Sequence, residues 1–252
     1  MTTDARDIVT VQQERVVLAR IHRPAKKNAL TRAMYAALTA VLDEAGRDPA
    51  THVVVVTGSG DSFSSGNDIA DFLAAPPAGE DSPVFQFLAA LQRFEKPLIA
   101  AVNGMAVGVG VTLLLHCDLV YARAGASLRL PFVNLGLCPE AGSSVLLPQR
   151  IGHARAAELL LLGDAFDAER ALEWGLINGI GADSEATLEL AMSQARRLAA
   201  LPARAVRLTK ALLKRSEAER VKDSVALESR HFIELLGSPE ARAALLAFAQ
   251  RR

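Results

Sequence analysis

The sequence predicts an α/β fold: a parallel sheet wrapped by helices up to about residue 190, then an α-helical C-terminal region. Three observations carry this. His52-Val53-Val54-Val55-Val56-Thr57 is a short, continuous, β-branched run of the kind buried on both faces of a parallel sheet. Leu98 to Val102 is a second such run, and apolar helical patterns alternate with these strands, which argues for right-handed crossovers. From Gly152 onward the pattern is almost entirely helical.

The elements follow in order. Residues 8–21 alternate imperfectly around Gln12-Gln13-Glu14-Arg15, which predicts a hairpin ended by Arg23-Pro24. Thr31 is a suitable N-cap for a helix from Arg32 to about Gly46, with Met34, Leu38, Val41 and Leu42 on one face. Gly58-Ser59-Gly60 turns the chain after the valine run, and residues 74–83 (AAPPAGEDSP) read as a surface loop. A helix to about Phe94 precedes Lys96-Pro97 and the second buried strand. Gly104 to Gly110 reads as a glycine-punctuated turn, Val111 to His116 as a short helix, and Asp118 to Tyr121 as a strand. Beyond Gly152 helices are expected over 153–162, 167–174, 184–200, 203–214, 217–236 and 239–250, with one strand at Leu176 to Ile180. The division is therefore a core over 1–190 and a helical region over 191–252.

A chain of 252 residues, half of them hydrophobic, buries a sizeable core. Its 28 basic and 28 acidic residues balance, without the basic stripe of a nucleic-acid-binding protein. Cys117 and Cys138 match no disulfide or zinc spacing, and His22, His116, His153 and His231 are scattered, so no metal is expected. The N-terminus has no secretory pattern, and Asn103 and three glycines interrupt the longest apolar stretch. A soluble cytoplasmic protein is expected.

Two turns follow buried strands: Phe63-Ser64-Ser65-Gly66-Asn67-Asp68 and Asn103-Gly104-Met105-Ala106-Val107-Gly108-Val109-Gly110. Glycine permits positive φ and close approach, so backbone N–H groups can point outward. Two such groups converging on one oxygen would make an oxyanion hole. Gly104, Gly108 and Gly110 do not give the G-x-G-x-x-G spacing of a dinucleotide loop.

These turns, with Arg23-Pro24-Ala25-Lys26-Lys27-Asn28-Ala29-Leu30, Lys96-Pro97-Leu98-Ile99-Ala100-Ala101-Val102, Cys117-Asp118, and Pro139-Glu140-Ala141-Gly142 leading to Arg150-Ile151-Gly152, resemble the enoyl-CoA hydratase/isomerase (crotonase) superfamily, in family order. The resemblance implies a crotonase-like spiral of ββα units with a helical trimerisation region. It also implies an acyl-CoA thioester partner, no bound cofactor beyond the coenzyme A of the substrate, and a homotrimer or dimer of trimers. By position it implies Ser65 and Val109 N–H groups as the oxyanion hole, with Gly66, Asn67 and Asp68 along the thioester. Lys26, Ala29 and Leu30 would run along the adenosine end, and Phe248 from the tail near it. Val109 stands where glycine is usual.

Hydration in this family uses two glutamates, and their places correspond to Thr112 and Phe132 here. A neutral hydroxyl and a phenyl ring accept no proton at neutral pH. Glu140 remains. Read structurally, it is a glutamate at the N-terminus of a helix over Ala141 to Gln149, favoured by the helix dipole. Read by resemblance, Pro-Glu-x-x-Ser-Ser is similar to the peroxisomal type of Δ3,Δ2-enoyl-CoA isomerase, whose base lies there. A related ring-expanding isomerase of phenylacetate breakdown carries an aspartate at that place. Phe132 would then exclude water and raise the pKa of Glu140. An enoyl-CoA hydratase, a dehalogenase-like enzyme with Glu140 as nucleophile, and a non-catalytic acyl-CoA binder are the alternatives. Asp68 is expected to pair or cap locally, Asp118 to satisfy backbone donors, Ser143-Ser144 to cap the helix, Trp174 to sit in the core, and the basic residues of 204–222 to form a solvated face.

Overall fold

The computed structural model describes residues 7–250, with side chains to residue 247. Strands β1 (Ile8–Gln13) and β2 (Val16–Ile21) form the expected hairpin. Helix α1 (Arg32–Arg47) begins at Thr31, whose hydroxyl accepts from the Met34 amide. Strands β3 (Val53–Gly58), β5 (Leu98–Val102), β7 (Leu119–Arg123) and β10 (Gly179–Gly181) complete a six-stranded sheet of order β1-β2-β3-β5-β7-β10, parallel from β2 onward.

Strand periodicity explains why the valine run is apolar throughout. Val53 and Val55, with Ile99 and Ala101, face Ala191, Met192 and Ala195 of α8 (Ser184–Ala199). Val54 and Val56, with Leu98, Ala100 and Val102, face the opposite layer built on α1 and α3 (Pro83–Arg93). Both faces being covered, each valine contributes about 1.5–3 kcal/mol of burial. The expected division at residue 190 falls inside α8, which this packing ties to the sheet.

A second sheet, unforeseen from sequence, has the order β4-β6-β8-β9. Its strands are β4 (Ser62–Ser64), β6 (Met105–Val107), β8 (Ser127–Arg129) and β9 (Ala165–Asp167). The stretch from Gly104 to Gly110 is thus not wholly a turn, because β6 lies within it and pairs in parallel with β4. Two buried asparagines tie this sheet to its neighbours. Asn28 Nδ2 donates to the Ser59 and Ser62 carbonyls (2.9 and 2.6 Å). Asn103 Nδ2 donates to the Gly60 and Ser62 carbonyls (2.9 and 3.1 Å) while its Oδ1 accepts from the Gly58 amide (2.9 Å).

Short helices α2 (Ile69–Ala74) and α4 (Val109–Thr112) follow β4 and β6. Helices α5 (Ser143–Ile151), α6 (His153–Leu162), α7 (Ala168–Glu173), α9 (Ala203–Arg215), α10 (Ala218–Leu236) and α11 (Pro239–Gln250) complete the chain. The sequence reading started α5 at Ala141. Ala141 and Gly142 instead adopt left-handed φ values of 62° and 72°, which defers the helix to Ser143. The solvated face expected over 204–222 also needs correction, because Lys210 is buried and donates to Lys96 O and Asp118 Oδ2, both at 2.7 Å. Asp118 also accepts from the Leu98 amide (2.8 Å), as expected of a residue that satisfies backbone donors. No helix among the described residues is long and apolar enough to cross a membrane.

Candidate active site

Parallel pairing of β4 with β6 sets the turns that follow them side by side. Gly110 lies so close to β4 that a Cβ there would come 2.8 Å from the Ser64 carbonyl oxygen. Gly66, at φ 88°, lies where a Cβ would come 3.0 Å from the Val107 carbonyl oxygen. These two glycines are required by close approach rather than by turn geometry alone. Together the turns line a mostly apolar cleft with Phe132, Leu137, Phe232 and Leu245.

The amides divide differently from the sequence reading. Ser65 N–H donates to the Lys27 carbonyl (2.9 Å), so it is committed to the protein and cannot also hold a ligand oxygen. Past Gly66, whose φ breaks the strand alternation, Leu30 pairs in parallel with Asn67. The Leu30 amide donates to the Gly66 carbonyl and the Asp68 amide to the Leu30 carbonyl (both 2.8 Å). That register leaves the Asn67 N–H on the side away from Leu30, where no described residue accepts it. The Val109 N–H opens α4 and likewise has no described acceptor. Asn67 and Val109 both line the cleft, so the free amides there belong to residues 67 and 109, not 65 and 109.

Glu140 is 2% exposed. Its Oε1 accepts from the Thr112 hydroxyl at 3.3 Å, one turn of α4 from Val109. Burial pushes its pKa up to about 7; the Thr112 hydrogen bond opposes this and the charge of Glu228 adds to it. Tyr35, also buried, donates a hydrogen bond to Asn67 Oδ1. Burial, and then the Glu140 charge, hold the Tyr35 phenol well above its usual range. Glu140, Thr112 and Tyr35 are therefore buried together, and Tyr35 connects them to the half-buried Asn67 on the cleft wall.

Glu140 is not the N-terminal residue of a helix, since Ala141 and Gly142 separate it from α5. The serines do not cap in the expected way either. The N-cap position is Gly142, Ser143 Oγ donates to the Glu140 carbonyl (2.6 Å), and Ser144 Oγ meets Glu228 and Ser224. Glu228 of α10 does the capping, accepting from the Gly142 amide (2.6 Å) and the Ser144 amide (3.0 Å).

The structure brings residues 26–30 alongside 65–68, with Ala29 and Leu30 buried and Lys26 exposed. Asp68 pairs with Arg23 (2.6 Å) and caps α2. Phe132 is buried on the cleft wall. The Phe248 side chain, expected near coenzyme A, lies outside the described residues. Tyr35, Asn67 as amide donor, and Glu228 were missed by sequence reasoning. The glycine at 66 was the one available signal, because a residue with positive φ reverses which neighbouring amides face out. No group of three or more potential metal-ligating side chains occurs among the described residues.

A model of the enoyl-CoA hydratase/isomerase family matches residues 11–252. The solved structure of OdaA from Pseudomonas aeruginosa aligns at a TM-score of 0.94 and 50% identity, covering 96% of this chain and 98% of that one. The 2,3-dehydroadipyl-CoA hydratase of Escherichia coli is 34% identical over 249 residues, 98% of this chain and 96% of that protein. Enoyl-CoA delta isomerase 2 of Rattus norvegicus is 36% identical over 224 residues, 86% of this chain and 57% of that longer protein. A two-sheet α/β core whose paired glycine turns face an apolar cleft is the architecture of an enzyme acting on acyl-CoA. The chain belongs to the enoyl-CoA hydratase/isomerase family and has the crotonase fold.

Proposed function

We propose that the protein is a Δ3,Δ2-enoyl-CoA isomerase that uses Glu140 as its single acid–base group. The observation that carries this reading is one buried carboxylate with a pKa raised to about 7 that accepts from Thr112, while Thr112 and the cleft-wall Phe132 stand at the places where hydration needs glutamates. Glu140 takes the C2 proton of a 3-enoyl-CoA. The C–H electron pair moves into a dienolate, whose oxygen accepts from the Asn67 and Val109 amides. Protonated Glu140 then delivers its proton to C4, and the double bond moves from C3–C4 to C2–C3. A pKa near the working pH suits a group that must both take and return a proton. The apolar wall of Phe132, Leu137 and Phe232 supports the reading by keeping out the water that a hydratase needs.

The second reading is hydration, favoured by the name of the Escherichia coli relative. The two separate on paired substrates. Under the isomerase reading trans-3-hexenoyl-CoA is converted to trans-2-hexenoyl-CoA while crotonyl-CoA gains no water. Enzymatic formation of 3-hydroxybutyryl-CoA with no isomerisation would reverse the choice. We also propose self-association as a trimer or pair of trimers, supported by the apolar residues that α9 presents to solvent, Leu208, Leu212 and Leu213. Light scattering in solution tests it, and a monomeric mass would reject it.

A further inference from the structure

We propose that Glu228, reaching from α10 in the helical C-terminal region, is a positioning residue that clamps the 140–144 elbow and thereby aims and tunes Glu140. The inference rests on the reading of Glu140 as the proton carrier.

Glu140 sits at the start of an unusual piece of backbone. Ala141 and Gly142 are consecutive left-handed residues, and Ala141 has a Cβ that disfavours this conformation. Such a conformation persists only where its surroundings over-determine it. Here the surroundings are side chains from two distant places, His116 and Glu228, with Ser143 of the elbow itself. His116 Nε2 donates to the Ala141 carbonyl at 2.7 Å. Burial lowers the His116 pKa to about 4, so near neutrality the ring is neutral and carries its one proton on that nitrogen. Ser143 donates to the Glu140 carbonyl through both its amide (3.0 Å) and its hydroxyl (2.6 Å). Glu228 accepts from the amides of Gly142 and Ser144, one with each oxygen, and from the hydroxyls of Ser144 and Ser224.

The Glu228 clamp holds the amides at both ends of the 142–144 turn, so the Glu140 side chain leaves the backbone in a fixed direction beneath Thr112. Glu228 is itself buried, at 7% exposure, with its donors arranged around it. Its oxygens also occupy the positive end of α5, which favours a negative charge there. The same charge acts on Glu140. The groups that face Glu140 are Thr112 from α4, Tyr35 from α1 and Glu228 from α10, with Cys138 on its own loop, and a like charge favours the protonated form of Glu140. Two carboxylates thus share one region with divided work: one stays with backbone donors and the other, kept dry and crowded, carries the proton.

Glu228→Gln keeps the shape, removes the charge and replaces one acceptor by a donor that opposes an amide. The Glu140 carboxyl, labelled with 13C and identified by loss of its signal in Glu140→Gln, should titrate at least about 0.5 pH unit lower in Glu228→Gln. With trans-3-hexenoyl-CoA, kcat should fall about 10-fold or more at nearly unchanged KM. A folded Glu228→Gln protein whose Glu140 titrates as in the wild type, with wild-type kcat, overturns the inference. If that variant does not fold, Glu228→Asp decides. It keeps the charge but shortens the reach to the Gly142 and Ser144 amides, so a drop in kcat at nearly unchanged KM supports the clamp, and wild-type kcat overturns it. The titration needs no turnover, so the inference stays testable if the isomerase reading fails. An active Glu140→Gln enzyme would sink that reading instead.

Discussion

Glu140→Gln should make the fold more stable, and more so as pH rises. The carboxyl is 2% exposed and its pKa is pushed from the ordinary 4.5 up to about 7. A raised folded-state pKa favours the fold below the unfolded pKa, where both states hold the proton. That advantage is lost as pH rises from 4.5 through about 7, because the unfolded chain releases the proton first. Across that interval the cost reaches about 3 kcal/mol. Glutamine keeps the volume and an acceptor oxygen for the Thr112 hydroxyl but cannot ionise. Urea denaturation of both proteins at pH 5 and pH 8.5, at fixed protein concentration, should therefore show the variant's advantage growing by about 2–3 kcal/mol between the two pH values. An advantage that does not change with pH would refute the reasoning, because it would place the carboxyl in water with an ordinary pKa.

Three further outcomes follow from the same geometry. The ascending limb of kcat/KM for the wild type should have a midpoint near the Glu140 value of about 7, since the base works deprotonated. Thr112→Val removes the hydrogen bond that favours the charged form, so the limb should move to higher pH; a shift to lower pH would show that Thr112 does not act on Glu140. Gly110→Ala sets a Cβ 2.8 Å from the Ser64 carbonyl oxygen, which forces β4 and α4 apart. It should cost about 1–3 kcal/mol of stability, and turnover should fall with it; thermal unfolding and a rate assay report both.

What the sequence disclosed follows the physics of each element. Val53 to Val56 announce a doubly covered strand because every residue is apolar, and the six helices read beyond residue 152 appear as α6–α11 with ends shifted by no more than one residue. The second sheet stayed hidden because three-residue strands such as Met105–Val107 are too short to display a period of two. The start of α5 was misplaced because Ala141, a good helix former, is held left-handed by His116 and Glu228 from elsewhere in the chain. The family motifs located the turn at 65–68, yet choosing the free amide within it needed the pairing of Leu30 with Asn67. Glu228 carried no local signal, since its partners Gly142 and Ser144 lie more than eighty residues away. Lys210 looked like part of a solvated basic face, and only the packing of α9 against Lys96 and Asp118 buries it.

The central claim is that one carboxylate moves one proton from C2 to C4. Trans-3-hexenoyl-CoA carrying deuterium at C2 tests it most directly, with wild type and Glu140→Gln run side by side in ordinary water. A buried base shielded from solvent should leave part of the label at C4 of the trans-2 product, and the variant should be slower by about 100-fold or more. Turnover by Glu140→Gln at close to the wild-type rate, with no label at C4, would contradict the account.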